Sequence, residues 1–167
     1  SFDGGDYIDC GSAPEHQNVT MTAWVKPSTV SSYQGVCGTA GNDGFDGYRM
    51  GISSGAKIDG GIGDTNSYNI TLGATNIVVN TWNHIAMVAD GTSVRVYLNG
   101  VDDQSSPTAR SDTTTFDDNF VIGAWADGNS KYTGSIANVA LWSRALSIEE
   151  INSVMRKKYS QLKSIEK

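Results

Sequence analysis

WNHIAMVADGTSVRVYLNGV, residues 82–101, is the stretch whose reading decides the architecture. Trp82, His84, Ala86 and Val88 alternate with Asn83, Ile85, Met87 and Ala89, and further on Val94, Val96 and Leu98 alternate with Arg95 and Tyr97. Period-two alternation on β-branched and aromatic residues is the pattern of a half-buried strand. Asp90-Gly91-Thr92 separates the two runs and Asn99-Gly100 follows them. Asp, Asn and Gly tolerate the backbone angles of tight turns, so the stretch predicts a hairpin that continues as a meander. The interior is expected to be two β-layers.

The rest of the chain repeats the pattern. VTMTAWVK (Val19 to Lys26) places Val19, Met21, Ala23 and Val25 on one face and Thr20, Thr22, Trp24 and Lys26 on the other, with Pro27 ending the run. Further strands are expected at Asp6 to Cys10, Gln34 to Thr39, Tyr48 to Ser53, Lys57 to Gly63, Ser67 to Leu72, Ile77 to Val79, Phe120 to Ala124 and Ser135 to Trp142. The last of these carries an irregularity near Asn138, and the glycines of the 57–63 run suggest a close backbone approach. Trp24, Trp82 and Trp142, lying in strands, are read as core. Only the end is helical. Ser147-Ile148-Glu149-Glu150 is a capping box, and Ile148, Ile151, Val154, Met155 and Leu162 form one apolar stripe.

With 167 residues, nineteen glycines and three prolines, the chain suits one domain of many short strands. Its net charge is −6, and residues 1–146 carry seven Lys/Arg against fifteen Asp/Glu, a net −8. Phosphate backbones attract basic surfaces, so nucleic acid is not an expected partner. No run approaches the ~20 apolar residues of a membrane helix, so membrane insertion is not expected. The opening SFDGGDYIDCG has no signal-peptide pattern, which fits a processed chain or a piece of a longer one. Cys10 and Cys37 are either one disulfide, implying an oxidising compartment, or two buried thiols acting as small hydrophobes.

Four blocks carry a family resemblance. Residues 82–101 resemble the W-x-H-[IV]-A … DG … Y-[LIV]-[DN]-G core of laminin-G-like, concanavalin A-like jellyroll domains. FDGGDYIDC at the start, VTMTAWVKP after it and VIGAWADGNSKYTGSIANVALWSRALSIEEI at the end are similar to the other family blocks. The resemblance implies an all-β jellyroll β-sandwich of two antiparallel sheets with one C-terminal α-helix. It divides the chain into a jellyroll at 1–146 and a helix with tail at 147–167 that leads to a further module. The family often holds a structural Ca2+, for which Asp3 and Asp6 are the candidates; Ala137 stands where the family has a carboxylate.

One jellyroll hosts many functions, so function must come from sites. Glycosidases need two facing carboxylates, and none of the four glutamates (Glu15, Glu149, Glu150, Glu166) falls on an expected strand. Asp59 is strand-borne but has no carboxylate two residues on, and His84 repeats a family core position. The chain is therefore expected not to be an enzyme. Sugars are held by aromatic faces with Asn and Asp groups fixing hydroxyls. The candidate clusters are Trp125, Asp127, Asn129 and Tyr132; Asn42, Asp43, Phe45 and Asp46; and Asn66 with Tyr68. Trp125 precedes a turn and is expected at the surface. The expectation is a non-catalytic carbohydrate-binding or adhesion module of an extracellular, cell-surface or virion (phage) protein. Its partners would be a glycan or cell-surface polysaccharide and neighbouring modules. The alternative is a structural or decoration domain with no sugar ligand, and a glycoside hydrolase or polysaccharide lyase is more remote.

Overall fold

The computed structural model describes residues 1–13, 16–40, 47–63, 68–104, 107–109 and 119–157, with Tyr68 as backbone only. Among them thirteen strands form two antiparallel sheets, followed by one helix. The strands are β1 (Phe2–Asp3), β2 (Ile8–Ser12), β3 (Val19–Pro27), β4 (Gln34–Gly38), β5 (Gly47–Ile52), β6 (Ile58–Gly63) and β7 (Tyr68–Leu72). They continue with β8 (Asn83–Ala89), β9 (Ser93–Leu98), β10 (Val101–Asp102), β11 (Thr108–Ala109), β12 (Asn119–Ile122) and β13 (Thr133–Trp142); the helix is α1 (Ile148–Arg156). The first sheet runs β1-β13-β3-β8-β9-β10, with β11 also on β9; the second runs β2-β12-β4-β5-β6-β7. This is the expected jellyroll sandwich.

The alternation sets the layers. Val19, Met21, Ala23 and Val25 of β3 are fully buried beside Ile85, Met87 and Ala89 of β8 and Val94 and Val96 of β9. From the second sheet Val36, Cys37, Tyr48, Met50, Ile52, Ile58 and Ile62 meet them. The sheets close tightly at Gly60, where a Cβ would sit 2.6 Å from Val96 Cγ1 and 2.8 Å from Met87 Cγ. The glycine-rich strand thus does accept a close approach. Asp90 Oδ1 takes the Thr92 and Ser93 amides at 2.9 and 2.7 Å, closing the β8–β9 turn. Asn99 and Gly100 turn at positive φ into β10. In β13 the register shifts between Ala137 and Ala140, with Asn138 at φ +50°, a β-bulge where the sequence showed an irregularity.

The helix covers part of the first sheet's outer face. Ser147 caps it with both capping-box bonds present, and Ile151 and Val154 pack on Ala86, Val88, Tyr97 and Leu146. Thr20 Oγ1 anchors the connection, donating to the Arg144 carbonyl at 2.8 Å and accepting the Leu146 amide at 2.9 Å.

Three expectations change, and one left open is decided. The first long strand is β2, shifted to Ile8–Ser12, with the two-residue β1 before it. Ile77 is buried but residues 77–79 form no strand, because Asn83 Nδ2 gathers the Val78 and Thr81 carbonyls at 3.0 and 2.7 Å into a local loop. Trp24, Trp82 and Trp142 are not core: they share the outward faces of their segments, Trp82 being 44% exposed and the other two half-buried. Cys10 and Cys37 are both free thiols, and only Cys37 is buried; Cys10 is exposed. Strand β12 lies between β2 and β4, so two strand spacings of about 4.8 Å hold the cysteines beyond the ~7 Å that a bridge spans. Cys37 instead packs its sulfur 3.8 Å from Met21 Sδ.

A nine-residue helix is marginal alone, so its packing and cap should dominate its stability. Ile151→Ala should cost about 2–4 kcal/mol and Ser147→Ala about 1 kcal/mol, read from urea denaturation midpoints.

Candidate functional site

Because Gly60 faces the core, its neighbours Asp59 and Gly61 face outward. Register then places Gly35, Gly51, Asp59 and Leu72 on one rung across β4 to β7, and Gly38, Arg49, Gly61 and Ile70 on the next. The glycines leave a trough of about 250 Å³, lined by Tyr33, Arg49, Asp59, Ile70, Leu72 and Trp125. Tyr33, Ile70 and Leu72 are 46%, 41% and 49% exposed. The floor is polar and nearly dry.

Arg49 Nη2 lies 3.5 Å from Asp59 Oδ2, a diagonal cross-strand pair. Asp59 is 1% exposed. Its Oδ1 has no hydrogen-bond partner among the described residues. Burial raises its pKa above the usual carboxylate value, with Arg49 partly offsetting the rise.

One wall of the trough is Trp125, only 1% exposed, with its ring 4.6 Å from the Arg49 guanidinium carbon. It fits because residue 51 is glycine: a Cβ there would lie 2.3 Å from Trp125 Cη2. The loop behind it hangs on β4, through Gly35 N–H to the Ser130 carbonyl at 2.6 Å and Gly123 N–H to the Val36 carbonyl at 2.9 Å.

The first sheet carries a second groove, of about 400 Å³, between Trp24, Trp82, Ala137 and Asn138. Trp24 meets the His84 ring edge-on with centroids 5.3 Å apart. His84 is 1% exposed and its Nδ1 has no partner among the described residues.

The clusters expected from sequence are redistributed. Trp125 is not at the surface but walled into the trough. Tyr132 is fully buried in the core, edge-to-face with Phe2 at 6.3 Å, so it is not presented to a ligand. Asp127 and Asn129 are exposed, yet Asp127 spends both oxygens on Asn129, at 3.0 Å each, in a self-bonded turn. Asn42, Asp43, Phe45, Asp46 and Asn66 lie outside the described residues, as does the Tyr68 side chain. Arg49 was missed. Alternation along YRMGI and IDGGIG places Arg49 and Asp59 outward, but only strand pairing brings them together.

A family model described as the concanavalin A-like lectin/glucanases superfamily matches residues 2–152. The chain belongs to this superfamily. No curated protein matches it. Among solved structures it is similar to domain 4 of AbnA, an extracellular arabinanase from Geobacillus stearothermophilus, in complex with arabinotriose. That likeness has 17% identity and a TM-score of 0.71 over 91% of this chain and 73% of the other. A candidate carbohydrate binding protein from Bacteroides ovatus matches at 17% identity and TM-score 0.70, over 87% and 43%. A mutant of the NanB sialidase from Streptococcus pneumoniae matches at 14% and 0.72, over 92% and 27%. At these identities the likeness is one of fold.

The superfamily resemblance raised a calcium ion at Asp3 and Asp6. Both are exposed, and Asp3 Oδ1 already accepts the Gly5 amide at 2.7 Å. The Gly5 carbonyl takes the Lys131 ammonium at 2.9 Å, so a cation of the protein's own stands there. Among the described residues no three His, Cys, Asp or Glu side chains are grouped to hold a metal. Calcium needs six to eight oxygens, several charged, and these residues do not fit it. Nor is any helix among the described residues long and apolar enough to cross a membrane.

Gly51→Ala should expel Trp125, costing about 1–3 kcal/mol by overpacking and shifting tryptophan emission to the red. Burial lowers the His84 pKa from 6.5 to about 4. As pH falls the unfolded chain takes the proton first, so stability is full above about 6.5 and declines toward about 4. Thermal melts across that window should show the decline, and His84→Gln should flatten it.

Proposed function

We propose that this chain is a carbohydrate-binding module of an extracellular or cell-surface protein, acting without catalysis, with its sugar site in the trough over β5 and β6. The observation that carries the reading is Asp59: a buried acceptor oxygen, without a partner among the described residues, at the floor of an open trough. Leaving such an acceptor unsatisfied costs about 1–3 kcal/mol, which a sugar hydroxyl would recover by donating to it. Tyr33 offers an exposed ring for the C–H face of a sugar, and Ile70 and Leu72 shield the contact from water. Membership of a lectin/glucanase superfamily supports the reading, as does the likeness to an extracellular arabinanase domain in complex with arabinotriose.

The absence of catalysis is part of the proposal. Hydrolysis of a glycoside uses two carboxylates roughly 5–9.5 Å apart. Asp59 is the one carboxylate among the described residues lining the trough, and Arg49 engages it.

Isothermal titration with arabinotriose and cellotetraose tests both parts. Binding should be lost by at least about tenfold in the Arg49→Met/Asp59→Leu double variant, an exchange of a buried ion pair for apolar residues that leaves folding near neutral. Tyr33→Ala should weaken it further from a site that stays folded. Unchanged affinity in both variants would sink the site, and new reducing ends after long incubation would sink the non-catalytic part.

A further inference from the structure

The trough leaves the opposite face of the sandwich unexplained. On the first sheet α1 covers one end of the outer face, over Ala86, Val88 and Tyr97. At the other end register sets Ala137, Trp24 and His84 side by side on β13, β3 and β8. Ala137 is the small member of that row, so the Trp24 indole stays open on its β13 flank. Trp82 lies two residues before His84 on the same face and is 44% exposed. The β13 bulge completes the groove by turning Asn138 out at positive φ, with its side-chain amide exposed. We infer that this groove is a second ligand site, for a ring of an uncharged saccharide, which makes the domain bivalent across its two faces.

Chemistry selects the ligand. The described lining residues, Trp24, Trp82, Ala137 and Asn138, carry no charge. A charged ligand would shed water against two indoles with no charged side chain among the described lining residues to meet it, which is unfavourable. An uncharged sugar gives its C–H faces to the indoles and its hydroxyls to the Asn138 amide, which both donates and accepts. Beside Trp24 on the sheet the His84 Nδ1, and two residues along β3 the Thr22 Oγ1, are buried polar atoms without partners among the described residues. Size agrees: about 400 Å³ lies within the ~300–1,000 Å³ of ligand clefts. A protein partner fits less well, because the four described lining residues fall far short of the roughly 20–30 a side of a stable interface.

The four tryptophans make the test direct, since each indole N–H gives its own signal in a 15N-labelled sample of the whole chain. Arabinotriose and cellotetraose are titrated separately, to about 20 mM. The expected result is saturable movement of the Trp24 and Trp82 signals with at least one sugar, while Trp142 stays still. Trp82→Ala, at an exposed position, should weaken the Trp24 response about tenfold and leave the thermal midpoint within a few degrees. Asn138→Ala should weaken it in the same direction. If Trp24 and Trp82 do not move with either sugar, the second site is overturned, whatever Trp125 does. It is also overturned if they move with protein concentration alone, which marks the groove as a contact between copies. Movement of Trp125 alone keeps the trough and removes this groove; movement of Trp24 and Trp82 alone does the reverse.

Discussion

The close approach of the two sheets at Gly60 governs the face that carries the trough. Met87 and Val96 press against a position that has no room for a methyl group, so the sandwich closes to contact only with glycine there. Strand pleat does the remainder. With residue 60 turned inward, 59 and 61 must turn outward, and pairing with β5 and β7 brings Arg49, Ile70 and Leu72 to them. The constraint that packs the core therefore also assembles the trough. A one-residue slip of β6 would bury Asp59 against Met87 and lose both at once.

What alternation controls was legible in the chain before any coordinates. The opposed faces of β3, the hairpin from residue 83 to 98, the Asn138 irregularity and the Ser147 capping box all follow from local periodicity or local hydrogen bonding. Three features did not follow, each for a definite reason. Arg49 and Asp59 are ten residues apart and meet only across strands, so no spacing along a single strand marks the pair. Trp125 follows a strand and precedes a turn, which suggested exposure; its burial depends on the missing side chain of Gly51, on another strand. The cysteines each read as strand residues, but their separation depends on β12, which enters between them from the far end of the sequence.

The tryptophans show the same division. Trp24, Trp82 and Trp142 stand in regular segments, and a strand residue of that size invites the reading of core. Register turns Trp24 and Trp142 away from the inward Val, Met and Ile residues, and Trp82, just before β8, is exposed beside them, so they dress the outer face of the first sheet. The one tryptophan shut away from water comes from a loop. Trp24, Trp82 and Trp142 therefore mark the outer face of the first sheet, while Met, Ile and Val, with Phe2, Tyr48, Phe120 and Tyr132, fill the space between the layers. That arrangement leaves rings available where a superfamily of binding domains can use them.

The two-residue strands β10 and β11 have a consequence for how the domain behaves in a crowd. Both lie along the open side of β9, β10 against Tyr97 and Leu98 and β11 against Ser93 and Val94. Neither offers enough consecutive free amides and carbonyls for a foreign chain to zip onto. A long bare margin on an all-β protein invites cross-molecular pairing and insoluble aggregates, and along β9 these short caps leave less of it.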